Sequence, residues 1–134
     1  MRIIEAAGAP IPNGHYSQAI VAGGLIFLSA QLPIIPGPNV TIPDGIEAQA
    51  RQAIHNSRAI LEASGASLAH VVSASIYVTA IENWPRVDAV WAEAFGDWRP
   101  ARGVFCVEAL HLGASIAIQM IAAAPVQQYD PILT

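Results

Sequence analysis

The sequence predicts an α+β fold with helices packed on one face of a sheet. Two apolar stripes of helical period, short β-rich runs around them, and glycine or proline at most junctions carry that reading. The 134 residues fit a single domain spanning 1–134, long enough to bury a real core, with no internal repeat and no compositional shift.

Residues 17–22 and 25–31 are short apolar runs divided by Gly23-Gly24, the pattern of a β-hairpin. Residues 33–43 (PIIPGPNVTIP) hold four prolines and one glycine and read as a surface loop. From 45 to 64 the apolar positions Ile46, Ala50, Ala53, Ile54, Ile60 and Leu61 form a helical stripe. Asp44 is the expected N-cap and Gly65 the expected stop. Residues 71–79 alternate as a strand, and 82–95 fit a second helix with Pro85 tolerated in its first turn. Strands over 101–109 and 115–124 complete the order ββ, α, β, α, ββ.

Alternation assigns faces. In 71–79, Val72, Ala74, Ile76 and Val78 form the face expected to receive the helices; in 101–109 that face is Phe105 and Val107. The opposite faces carry Val71, Ser73, Ser75, Tyr77 and Thr79 on one strand, and Arg102, Val104, Cys106 and Glu108 on the other. They are almost free of charge, which suits contact between copies of the chain better than open water.

Arg102 is the feature that most needs explaining. It places a permanent charge at the head of the run ARGVFCVEA, where an anionic partner must be found. Arg99 lies three positions earlier, so a clamp for a carboxylate or phosphate and an internal ion pair with Glu108 or Asp88 are both open. Of the two, Glu108 shares a predicted strand face with Arg102 and is the expected pairing partner.

Composition narrows the function. Hydrophobic residues make up 54% and charged ones 12%, with a net charge of −4, six arginines and no lysine, which argues against a nucleic-acid partner. No stretch reaches the roughly 18 apolar residues of a membrane span. With no leader pattern at the first residues, a cytoplasmic location is expected. One cysteine and four scattered histidines give no metal-ligand spacing, and the lack of lysine excludes a lysine Schiff base. Cys106 reads as a small buried hydrophobe, and Trp84, Trp91 and Trp98 as packing residues.

Five motifs then occur in order: Gly14-His15-Tyr16-Ser17-Gln18-Ala19, residues 25–31 (LIFLSAQ), Gln49-Ala50-Arg51-Gln52, residues 63–68 (ASGASL) and Arg99-Pro100-Ala101-Arg102. Together the chain from about position 8 to 124 resembles the Rid family, the reactive intermediate (imine and enamine) deaminases also called YjgF or L-PSP endoribonuclease-like proteins. The resemblance implies a chorismate-mutase-like fold with a mixed six-stranded sheet and two helices on one face, and a homotrimer with clefts between subunits. It also implies hydrolysis of 2-imino or 2-enamino acids to 2-keto acids and ammonia, without cofactor or metal. The alternative is a non-catalytic trimer that binds a carboxylate or keto acid.

Carried over residue by residue, Arg102 matches the arginine that binds the substrate carboxylate, Tyr16 a tyrosine of the cleft wall, and Ser29 the serine after the hydrophobic strand. Ala117 falls where the family carries a water-positioning glutamate, and Gln119 where a second acidic residue is found. Asp88 replaces an asparagine of the cleft and is a candidate base or ammonium partner. Val104 replaces a cysteine, Ala30 a glycine and His15 a proline.

Overall fold

In the computed structural model, which describes residues 1–125, six strands form one mixed sheet. They are β1 (Arg2–Ile4), β2 (Ala19–Ala22), β3 (Leu25–Leu28), β4 (Val71–Val78), β5 (Ala101–Cys106) and β6 (Ile116–Ala123), in the spatial order β1-β2-β3-β6-β4-β5. Two α-helices, α1 (Ile46–Ala63) and α2 (Trp84–Phe95), complete the fold. All neighbours are antiparallel except β4 and β5, which the crossover through α2 makes parallel. The sequence pattern alone yields five strands. The sixth, β1, is too short for an alternation to be read from it.

Local chemistry sets the element ends. Gly23 and Gly24 both take positive φ (59° and 77°), the condition for a two-residue turn whose twist matches β2 and β3. The stop of α1 is the predicted one. Gly65 adopts φ 83°, its amide donates to the Glu62 carbonyl, and the Ala66 amide donates to that of Leu61, closing a Schellman motif. The start differs: Gly45, not Asp44, occupies the N-cap, with φ 89° and no side-chain cap.

One face of the sheet meets the helices. Ile26, Leu28, Ile76, Ile116, Ile118 and Met120 are fully or almost fully buried there, in one core with Ile54, Ile60 and Leu61 of α1 and Val87, Val90 and Trp91 of α2. Two predicted faces need correction. Register shifts between Val71 and Ser73, so this bulge turns Val71 into the core and leaves Val72 exposed. In β5 the faces are the reverse of those predicted. Arg102 pairs with Ala74 and Val104 with Ile76, so both lie on the helix side, while Phe105 pairs with Tyr77 on the other face. β5 is an edge strand: its helix side is shared with the side chains of α2, and its aromatic ring stacks on Tyr77 on the other face, with centroids 5.6 Å apart.

The opposite face has no cover among the described residues. Ile3, Phe27 and Phe105 are exposed on it, alongside Ile20, Tyr77, Ile121, Ser73, Ser75 and Gln119. No described helix is long and apolar enough to cross a membrane.

Candidate functional site

Arg102 reaches across from the sheet edge to α2. Its Nη1 donates to Asp88 Oδ1 at 2.9 Å, and its guanidinium carbon lies 4.7 Å from the ring centroid of Trp84 and 5.6 Å from that of Trp91. Trp84, Asp88 and Trp91 follow one another at the i, i+4, i+7 spacing of a single helix stripe, so α2 presents ring, carboxylate and ring to the same cation. The Arg102 side chain keeps 27% of its surface exposed and that of Asp88 50%. Asp88 thus takes the place expected of Glu108. It engages one donor of a guanidinium that has five, leaving others for a ligand. The tryptophans do more than pack, an outcome that depends on the reversed face of β5.

Tyr16 stands elsewhere. It is exposed at the entrance to β2 and lines a cleft of about 530 Å³ with Gln31, Pro36, Val40, His111 and Leu112. Leu112 holds φ 63°, the one non-glycine residue with positive φ among those described, and such a conformation costs a branched side chain about 1 kcal/mol or more. The loop 32–41 forms much of the cleft wall and is anchored by buried Asn56 of α1, whose Nδ2 donates to the carbonyls of Leu32 (3.1 Å) and Ile34 (2.8 Å).

The remaining predicted residues separate in the same way. Ser29 donates its hydroxyl to the Ser17 carbonyl at 2.7 Å and so holds the segment that carries Tyr16. Ala117 is buried and pairs with Tyr77 on the open face, opposite to the face of Arg102. Val104 is half-buried two residues from Arg102, on its face. Cys106, predicted buried, is exposed at the end of β5, because an edge strand leaves it uncovered. One chain therefore gathers Arg102, Asp88 and Val104 at one sheet edge. Tyr16 and Ser29 flank β2 and β3, and β2 is four strand spacings, roughly 19 Å, from β5.

A second cleft, of about 560 Å³, lies between the helices and carries Arg51, His55 and Arg58 of α1 beside Val90 and Glu93 of α2. Among the described residues no group of three or more His, Cys, Asp or Glu could hold a metal ion.

Comparison with known proteins decides the relationship. The family model for endoribonuclease L-PSP matches residues 6–124, nearly the whole chain. The chain belongs to the Rid (YjgF, L-PSP endoribonuclease-like) family. Among its relatives, a 2-iminobutanoate/2-iminopropanoate deaminase of Capra hircus is 36% identical over 121 residues, covering 90% of this chain and 88% of the relative. The crystal structure of RidA from a Psychrobacter species superposes with a TM-score of 0.88 at 32% identity, covering 92% of this chain and 99% of the other. That of TdcF from E. coli with bound serine gives 0.89 at 27% identity, covering 93% and 100%. Rid members therefore share the six-stranded sheet and paired helices described above.

Proposed function

We propose that this Rid protein hydrolyses 2-imino acids, with their 2-enamino tautomers, to 2-keto acids and ammonia. The observation that carries the reading is the Arg102 guanidinium, fixed over two tryptophan rings at the sheet edge with donors still open to solvent. A substrate carboxylate would pair there, placing the adjacent imine carbon for attack. Water adds to the carbon of the protonated imine, the C–N bond of the resulting carbinolamine breaks, and ammonium leaves as the C=O bond forms. A protonated imine is already a strong electrophile, so orientation supplies most of what the reaction needs, and a general base adds roughly 10²–10⁴ in rate. Asp88 is the carboxylate at hand to accept the proton of the attacking water. The deaminase name of the Capra hircus relative and the serine bound to TdcF, itself an amino acid, support a small carboxylate-bearing ligand.

The site is completed, in this reading, by a homotrimer in which the Arg102 edge of one copy faces the Tyr16 cleft of another. The separation of the two half-sites within one chain and the uncovered apolar sheet face both favour that assembly. The second reading, a non-catalytic carboxylate-binding trimer, is favoured by one observation: Ala117 and Gln119 leave no carboxylate at the positions where the family carries them. An assay separates the two. An amino-acid oxidase generates the imine, semicarbazide traps what survives, and added protein is expected to lower the semicarbazone yield while the keto acid rises. An unchanged yield at micromolar protein contradicts the deaminase reading.

A further inference from the structure

We infer that Asp88 and Arg102 together form a reader of zwitterions, which makes the site favour ligands bearing a cationic nitrogen beside the carboxylate over plain keto acids. This rests on the proposed carboxylate site. Arg102 is not a bare cation: its Nη1 already donates to Asp88 Oδ1 at 2.9 Å, so an arriving carboxylate meets a neutral pair and a second carboxylate within contact range. A ligand whose only charge is negative is repelled by Asp88 as it is attracted by Arg102. A ligand with a protonated imine or amine next to its carboxylate meets the reverse, since the N–H groups can donate to Asp88 while the carboxylate accepts from Arg102.

The geometry permits both contacts at once. Asp88 engages only one guanidinium donor, and both side chains are solvent-accessible, by 27% for Arg102 and 50% for Asp88. The rings of Trp84 and Trp91 hold the guanidinium beneath, so the pair offers a fixed row of positive and negative charge rather than a mobile ion pair. An asparagine at 88 would keep the size and a hydrogen-bonding oxygen while losing the charge that discriminates. The same row disfavours the product, because hydrolysis replaces the cationic nitrogen by a neutral carbonyl oxygen. Asp88 then assists product release as well as substrate choice.

The test uses two unreactive probes with one carbon skeleton, L-2-aminobutyrate (zwitterion) and 2-oxobutanoate (anion), titrated calorimetrically against the full chain. The wild type is expected to bind the zwitterion more tightly. Asp88→Asn is expected to reverse the order, tightening the keto acid and weakening the amino acid by about threefold to fivefold each, the scale of one charge contact at a partly exposed site. Arg102→Ala should weaken both probes, and Arg58→Ala, in the cleft between the helices, neither. Thermal midpoints confirm that each variant is folded. If Asp88→Asn leaves the ratio of the two affinities unchanged while Arg102→Ala abolishes binding, the zwitterion reader is overturned and the carboxylate site stands. If Arg102→Ala binds both probes as the wild type does, or the wild type binds neither at millimolar concentration, the carboxylate site itself fails and the reader with it.

Discussion

A guanidinium in a nearly uncharged strand demands a partner, and the sequence names Asp88 and Glu108 as the candidates. What sequence could not supply is the face of β5. With Arg102 on the helix side, Asp88 of α2 comes to 2.9 Å and two tryptophans come beneath it. The ion pair is part-exposed, so its own contribution to stability is small, on the order of 1 kcal/mol or less. Its rings matter more for position. Trp84→Ala is expected to leave the fold intact and to weaken carboxylate binding by about threefold to fivefold, the loss of one exposed cation–π contact, measured by calorimetric titration. An unchanged affinity would mean that the ring only packs.

Elements with strong periodicity read well, and those shaped by pairing did not. The stripe from Ile46 to Leu61 and the glycine at 65 locate α1 to within a residue or two. The bulge at Val71 and Ser73 leaves no trace in composition, and β1 is three residues long, so both depend on partners that a linear pattern does not contain. The same holds for Asn56, a polar residue on a buried helix face whose purpose appears only when the 32–41 loop lies across it. Removing its amide strands two carbonyls. Asn56→Ala is expected to lower unfolding free energy by about 1–3 kcal/mol and to speed amide exchange across residues 32–41 before the rest of the fold, read by denaturant titration and hydrogen exchange. Exchange unchanged in that loop would show that something else anchors the cleft wall.

At the scale of the molecule, the charge-poor strand face of β4 suits contact between copies of the chain, and the open side of the sheet gives that expectation a surface. The sheet face with Ile3, Phe27, Phe105 and Ile121 is apolar and has no helix over it among the described residues, while Tyr16 and Arg102 belong to separate parts of one chain. Light scattering coupled to size exclusion is expected to give three chain masses at micromolar concentration for the wild type. Phe105→Asp, which puts a charge on the exposed β5 edge of that face, should shift the mass toward one chain and lose imine hydrolysis together with the assembly. A monomeric wild type, or a monomeric variant with full activity, would contradict a site shared between copies.

The most direct measurement of the central claim is the rate of imine hydrolysis by Arg102→Ala beside the wild type, in the oxidase and semicarbazide assay at matched concentration and matched oligomeric state. Arg102→Ala is expected to lower kcat/KM by at least about 10²-fold, the worth of a charged, hydrogen-bonded substrate contact, with little change in thermal stability. Equal rates for the two proteins would contradict that claim.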